Sequence, residues 1–183
     1  TSIAVTTDDS NDEIVYASSM GDGVIQYKNG TPVQSYNEKN AFKETAGGYG
    51  SGYCYIDGLA FDKNGNLWMT SSEVNHAVLV LDKAGAWHRL DIEQLRGVYT
   101  INDILITSTN DKWIYVPRNT PKLVMIPNSE SLDEVSSYEF TTLIDTDGKE
   151  LTPSNYTCVA EDKDGYIWVC LLYTSDAADD RIS

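Results

Sequence analysis

Few residues of this chain could do chemistry, and they are scattered. Histidine occurs twice, at His76 in a predicted loop and at His88 on a predicted strand, and neither has a nucleophile and an acid in a pattern that predicts a catalytic triad. The cysteines Cys54, Cys158 and Cys170 show none of the spacings of a metal-ligand cluster with these histidines. We therefore expect no catalytic residues, no metal and no cofactor.

Oxygen-bearing side chains alternate at Asp62, Asn64 and Asn66, like the first half of a calcium-binding loop, and Glu73 stands in the place of the last ligand. The sixth position of such a loop carries Gly, whereas this chain has Leu67 there and continues as a predicted strand. We expect the Asp and Asn side chains to cap backbone N–H groups of a turn, with calcium binding as the alternative.

Residues 37–53 form a long polar connection whose aromatic side chains could contact a ligand. Tyr49, Tyr53 and Tyr55 offer ring faces that could stack on a sugar or a peptide. A rigid link, PRNTP, contains Arg118, which could contact an anionic group. Tyr49, Tyr53 and Arg118 are therefore the candidate ligand-binding residues, and a plain connecting loop is the alternative for each of them.

The elements that must position these residues are repeated hairpins. Residues 56–72, IDGLAFDKNGNLWMTSS, hold two short apolar runs joined by an Asn-Gly turn, which predicts a β-hairpin with Trp68 just after its turn. The same order recurs in YTCVAEDKDGYIWV with Trp168, and more loosely around Trp113 and Val15. Roughly 45 to 55 residues separate the copies, and a second pair of predicted strands follows each of the first three.

About four strands in a repeat of this length are typical of a β-propeller blade. We predict an all-β fold, a partial β-propeller of about three to four four-stranded antiparallel blades, with the recurring Trp side chains packed between neighbouring sheets. The predicted blades span roughly 1–40, 50–97, 98–145 and a truncated 146–169. Closed propellers have about four to eight blades, so we interpret the chain as a fragment of a longer protein.

The last segment, residues 170–183, departs from the repeat. It reads CLLYTSDAADDRIS and resembles one translated frame of an adapter used to build sequencing libraries. We expect that the tail from about Cys170 onward is not native sequence, and a native helical tail is the alternative. No function is assigned to it.

The charge balance narrows the classes of partner. The chain has 13 Lys and Arg against 28 Asp and Glu, a formal net charge of −15. Acidic surfaces repel phosphate backbones, so we do not expect nucleic-acid binding. No apolar run approaches the roughly 20 residues of a membrane helix, so we expect no membrane span here.

The segments GLAFDKNGNLWMTS, VLDKAGAWHRL and CVAEDKDGYIWV resemble the two-component-regulator propeller repeat, in which an apolar strand, D-x-x-G and an aliphatic-Trp strand follow one another. Together with DKWIYVP they are also similar to the propeller of PorZ-like proteins of the type IX secretion system. The resemblance covers roughly residues 13–169. It implies a periplasmic or cell-surface location and a non-enzymatic role, either sensing a glycan fragment or scaffolding secretion, with a protein or glycan ligand at a propeller mouth.

Propeller enzymes of the streptogramin lyase or lactonase type share this hairpin and provide the alternative function. Such enzymes need a catalytic His, or a metal held by Glu, Asn and Asp side chains, at the central channel. His76 and His88 occupy non-equivalent places in the repeat and lie off the strand that should line the axis. The sequence therefore favours a binding propeller over an enzyme.

Overall fold

Four short antiparallel strands succeed one another in each of the first three repeats. The structure is a computed structural model that describes residues 2–42 and 52–172. The first blade comprises β1 (Ile3–Thr7), β2 (Glu13–Gly21), β3 (Gly23–Lys28) and β4 (Thr31–Tyr36); the second comprises β5 (Cys54–Phe61), β6 (Leu67–Ser71), β7 (Val78–Leu81) and β8 (Trp87–Leu90); the third comprises β9 (Ile104–Ile106), β10 (Lys112–Val116), β11 (Lys122–Ile126) and β12 (Tyr138–Phe140). Each strand pairs with the next one in its blade, as the repeat predicts.

The remaining elements are short. A 3₁₀ helix (Glu93–Leu95) connects the second blade to the third, and β13 (Leu143–Ile144) pairs with β14 (Glu150–Leu151). The fourth repeat contributes β15 (Asn155–Glu161) paired with β16 (Ile167–Leu172). Strand β16 continues through the predicted boundary at residue 170, and residues 173–183 lie outside the described residues, so the non-native origin of the tail stays a prediction.

Side-chain alternation gives the second blade two apolar faces. On β6, Leu67 and Met69 join the buried cluster shared with the first blade, whereas Trp68 joins the cluster shared with Ile104 and Ile114 of the third. This division follows from the strand period of two, because successive side chains point to opposite faces of a sheet. The core is therefore a series of apolar layers, each lying between consecutive blades, which is the packing of a propeller.

The three repeated Trp residues occupy the same register on the second strand of their blades. Trp68 is buried between the second and third blades, and Trp113 is half-buried and stacks on Phe140 with 5.7 Å between ring centroids. Trp113 also packs against the apolar cluster that Tyr115 and Leu123 of the third blade share with Tyr156 of the fourth repeat. The prediction that these rings pack between sheets is therefore confirmed at both positions. Trp168 is 66% exposed, and the described residues include no following blade that would cover it.

The turn between β5 and β6 differs in detail from the predicted hairpin. Gly65 takes a positive φ of 85° and its N–H donates to the Asp62 carbonyl at 3.0 Å, while Asn64 stays at negative φ. This geometry is a type I turn that ends in a left-handed Gly, which the sequence Asp-Lys-Asn-Gly also permits.

Asp62 holds this turn together. Its Oδ1 accepts from the backbone N–H groups of Asn64 and Asn66, each at 2.9 Å, as the predicted capping role requires. Its Oδ2 accepts from the Asn66 amide and from Trp68 Nε1, both at 2.9 Å. The bond to the indole was not predicted, and it recurs between Asp162 and Trp168 at 2.7 Å. The Asp and Trp of the repeat therefore act as a pair.

Neighbouring blades also meet through polar contacts close to their first strands. The Thr70 hydroxyl accepts from the Gly58 N–H at 2.8 Å and donates to the Asn102 carbonyl of the third blade at 2.9 Å. Tyr115, at the same repeat position, donates its hydroxyl to the Thr157 carbonyl of the fourth repeat at 3.2 Å. Hydroxyl side chains at this position therefore link the second blade to the third and the third blade to the fourth repeat.

The first two blades are joined more directly. Residues 20–21 at the end of β2 pair antiparallel with residues 54–55 at the start of β5. The two blades thereby form one eight-stranded sheet, whereas the third blade forms a separate four-stranded sheet.

Candidate functional site

The candidate residues from the sequence fall in different places. Tyr49 lies outside the described residues. Tyr53 lies just before β5, and its ring meets that of Tyr55 edge-to-face, with 6.3 Å between centroids. Arg118 is exposed in the loop between β10 and β11, and the preceding Pro117 carbonyl accepts from the Tyr156 N–H at 3.1 Å. The structure therefore brings the two tyrosines together and places Arg118 on another blade.

The tyrosine pair belongs to a larger group at the end of the blades where the first strands β5 and β9 begin. We call this group the channel-mouth cluster. Its members come from the start of β5, from the loop after β6 and from the connection into β9. They are Tyr53, Tyr55, Asp57, Glu73, Tyr99 and Asp103. Since β1, β5 and β9 pack side by side, the cluster lies beside the axis of the propeller.

Ser72 fixes the position of Asp57. Its hydroxyl donates to Asp57 Oδ2 at 2.6 Å and accepts from the Ile101 N–H at 2.8 Å. The Ser72 N–H donates to the Tyr55 carbonyl at 3.1 Å, so the loop after β6 is tied to β5 by backbone and side chain together. The Asp57 carboxylate is thus held by two blades rather than by a free loop.

Burial controls the charge of the cluster. It raises the pKa of Asp57 to about 7, the nearby Asp103 carboxylate adds to the shift, and the Ser72 hydrogen bond opposes it. Burial also raises the pKa of Asp103 and that of Tyr55, the latter with help from the negative charge of Asp57. The cluster therefore presents aromatic faces, phenol donors and a carboxyl group that changes protonation near neutral pH, which suits ligands that have both apolar and hydrogen-bonding surfaces.

The raised pKa of Asp57 predicts a pH-dependent effect of Asp57→Asn. An unfolded Asp ionises near pH 3.9, whereas the folded protein keeps this proton until about pH 7, so the free energy of unfolding falls as pH rises between these values. The amide does not titrate. The two pKa values correspond to about 4 kcal/mol, and solvent around the partly exposed Asp57 side chain screens part of it. We expect the variant to exceed the wild type by about 2 kcal/mol at pH 8 and to match it near pH 4, as measured by urea denaturation.

Asp147→Asn, on the exposed turn between β13 and β14, controls for the loss of a surface carboxylate. A difference between wild type and Asp57→Asn that is the same at both pH values would contradict the assignment of the titrating group.

The sequence did not single out Asp57, Ser72, Tyr99 or Asp103. A signal was present for Asp57 alone, because the repeat alignment places a polar residue just before the apolar part of each first strand. These residues are Ser2, Asp57, Asn102 and Thr157. A polar position in every repeat next to an otherwise apolar strand indicates the axis-facing ends of the blades.

His88 lies away from this cluster, on the last strand of its blade as the sequence predicts. His88 is on the outermost strand β8, where Nε2 contacts Asp82 and Nδ1 contacts Asp133, both at 3.0 Å. Hydrogen bonding to Asp82, and then to Asp133, raises the pKa of His88. His76 lies in the loop between β6 and β7. Within residues 2–42 and 52–172, no group of three His, Cys, Asp or Glu side chains has the geometry to hold a metal.

Over the same described ranges, no helix has the length and apolar character needed to cross a membrane. No curated protein sequence matches the chain. Residues 150–171 match the family model described as two component regulator propeller.

Two solved structures resemble the chain over most of its length. PorZ, a surface component of the type IX secretion system of Porphyromonas gingivalis, superposes with a TM-score of 0.79 at 19% identity over 91% of this chain and 23% of PorZ. A protein described as the extracellular domain of a hybrid two component system from B. thetaiotaomicron superposes with a TM-score of 0.57 at 19% identity. The match covers 90% of this chain and 20% of the other protein's chain. The chain thus spans about a quarter or less of either neighbour. It has the fold of part of a β-propeller, and at residues 150–171 it carries a repeat of the two component regulator propeller family.

Proposed function

We propose that the chain is part of a non-enzymatic binding propeller in an exported protein located in the periplasm or at the cell surface. Its role is that of an accessory of type IX secretion, like PorZ, or of an extracellular sensor domain of a hybrid two-component system. The ligand is a protein or a glycan that binds at the channel mouth, with Tyr53 as a contact and with Tyr49 and Arg118 as further contacts.

The observation that carries this proposal is the Tyr53–Tyr55 ring pair beside Asp57. The ring contact orients both phenols, and the Ser72 hydrogen bonds hold the carboxyl group on the second blade. A rigid scaffold that presents aromatic and polar groups at its edge is typical of a binding surface. His88 lies on the outermost strand of its blade, and both of its ring nitrogens contact carboxylates. This arrangement supports a structural role for His88 rather than a role in acid–base chemistry.

Gene deletion in the bacterium that encodes the chain separates the two roles. Loss of delivery of type IX cargo to the cell surface would support the secretion accessory, and loss of a glycan-induced transcriptional response would support the sensor. A deletion strain that keeps both would contradict the proposal.

Complementation then tests the channel mouth. We expect the full-length protein with Tyr53→Ala to restore the affected function poorly, because a truncated aromatic contact typically weakens binding about tenfold or more. Tyr138→Ala removes an exposed tyrosine from the outer strand β12 and should complement like the wild type. Equal complementation by both variants would place the ligand elsewhere.

A further inference from the structure

The loop between β11 and β12 reaches from the third blade to the outer part of the second. We call residues 127–137 the β11–β12 loop. Two of its side chains, Leu132 and Val135, pack against the apolar cluster that lies between these blades. Ser137 donates its hydroxyl to Gln94 Oε1 of the 3₁₀ helix at 3.0 Å. The loop is therefore part of the contact between the second and third blades.

His88 lies between two carboxylates at this contact. Its Nε2 is 3.0 Å from Asp82 Oδ2 in the turn before β8, and its Nδ1 is 3.0 Å from Asp133 Oδ1 in the β11–β12 loop. Asp82 is fixed by its turn, because its Oδ1 accepts from the Ala86 N–H at 2.7 Å. Arg89, the next residue of β8, donates instead to a backbone carbonyl after β4. The imidazole thus joins a fixed carboxylate of the second blade to a carboxylate of the loop.

The protonation state of the His88 ring decides whether both contacts can be made. A carboxylate accepts hydrogen bonds, and an imidazole donates from both nitrogens only in its protonated form. The neutral ring has one N–H, so its other nitrogen would direct a lone pair at a carboxylate oxygen 3.0 Å away. The Asp82 side chain is 20% exposed and that of Asp133 is 82% exposed, so water replaces the contact to Asp133 more easily.

The surrounding charges favour the protonated ring. Hydrogen bonding to Asp82, and then to Asp133, raises the pKa of His88, and among the described residues these are the charged side chains with which the ring interacts. The other charged residues of the loop, Glu130 and Glu134, are also acidic. Because the folded pKa is raised, the bridge contributes fully below about pH 6.5 and is lost as pH rises through the folded value.

We propose that His88 is a pH-dependent connection between the second blade and the β11–β12 loop. The protonated ring binds Asp82 and Asp133 together and holds the loop against β8. When the ring gives its proton to solvent, it keeps the hydrogen bond to Asp82 and releases Asp133, so the loop around Asp133 opens more often. This connection lies away from the channel mouth and does not depend on the function proposed above.

Hydrogen exchange of the full-length protein, measured by mass spectrometry and corrected for the chemical exchange rate, tests the proposal. The N–H groups of Asp133 and Glu134, which donate to the Ser131 hydroxyl at 3.2 Å, report on the loop. We expect the loop to open about two- to fivefold more often at about pH 9 than at about pH 6, the range for an exposed ion pair.

Two loop variants separate the His88 bridge from the general charge of the loop. Asp133→Asn should remove most of the pH dependence of exchange, and an NMR titration should show a lower pKa for His88. Glu134→Gln removes the neighbouring exposed carboxylate and should leave both measurements unchanged. Equal pH dependence in Asp133→Asn and in the wild type overturns the proposal, as does an equal loss in Glu134→Gln.

Asp57 also changes protonation near neutral pH, so the exchange series is repeated with Asp57→Asn. Loop opening that keeps its pH dependence in this variant supports the His88 bridge. Opening that loses its pH dependence there, or that rises equally in β5 and β6, reflects global unfolding and overturns the proposal. His88→Asn should give the more open loop at both pH values, and a loop as protected as that of the wild type at about pH 6 would contradict the bridge.

Discussion

Asp62→Ala is expected to lower the free energy of unfolding by about 4 kcal/mol, one of the two largest effects predicted for any single change in the described residues. The substitution removes four acceptor contacts, two to backbone N–H groups of the turn, one to the Asn66 amide and one to Trp68 Nε1. The indole is buried, so its N–H would lose its partner away from water, which costs about 1–3 kcal/mol by itself. Urea denaturation of wild type and variant measures the difference.

Two features make Asp62 more sensitive than an ordinary turn aspartate. The Lys112 side chain is buried, and its ammonium lies 4.5 Å from the centre of the Trp68 ring, where Asp62 supplies nearby negative charge. Loss of the Asp62 carboxylate would therefore leave the buried Lys112 cation with Asp111 as its remaining negative neighbour, and it would leave the indole unpaired.

Asp162→Ala is the matched control, because Asp162 makes the equivalent bonds to its own turn and to Trp168 Nε1. Trp168 is exposed, so water can replace the lost acceptor and the change in stability should be clearly smaller. Equal effects of the two substitutions would show that the turn bonds, rather than the buried indole, determine the stability.

Gly58→Ala is expected to destabilise the protein by about 3 kcal/mol, because the added methyl group meets backbone rather than side chain. A Cβ at this position would lie 2.7 Å from the Ile104 nitrogen and 3.0 Å from two backbone atoms of Asp103. Strands β5 and β9 would have to separate, which would also strain the Thr70 bridge between the blades. Overpacking typically costs about 1–3 kcal/mol, and here the obstructing atoms cannot rotate away.

Thermal unfolding of Gly58→Ala should be compared with that of Gly148→Ala. Gly148 has a positive φ of 80° in open space, so its replacement isolates the backbone cost of losing a glycine, about 1 kcal/mol. A midpoint for Gly58→Ala equal to or above that of Gly148→Ala would contradict the close approach of the two first strands.

The fold could be predicted from the sequence because of the repeat, whereas the candidate site could be predicted only in part. Trp68 and Trp168 with their D-x-x-G turns predicted the strands, their pairing and their blade order, since local turn chemistry and strand period both act over short distances. The Asp62–Trp68 bond was missed because the motif gives the spacing of the two residues but not the rotamers that bring them together.

The channel-mouth cluster could not be read from one stretch of sequence. Tyr53 was recognised as a candidate because it lies in an aromatic segment, but Asp57 and Asp103 come from different blades and meet only when β5 and β9 pack together. The ring contact between Tyr16 and Phe61 was missed for the same reason, since the two residues are distant in sequence and each alone is typical of a core strand. Contacts between repeats depend on how the blades stack, and the pattern within one repeat does not determine that.

The short pairing between β2 and β5 has a consequence for how the molecule opens. Strand pairing runs from the first blade into the second, whereas the third blade is attached by side-chain packing and by scattered hydrogen bonds, such as those of Thr70 with Asn102 and of Lys63 with Asn110. In repeat proteins, coupling between neighbours sets the order in which units come apart. We expect the first two blades to unfold together as one cooperative unit, whereas the third blade and the fourth repeat unfold one after the other. Protection of backbone amides from hydrogen exchange should therefore decline toward β16.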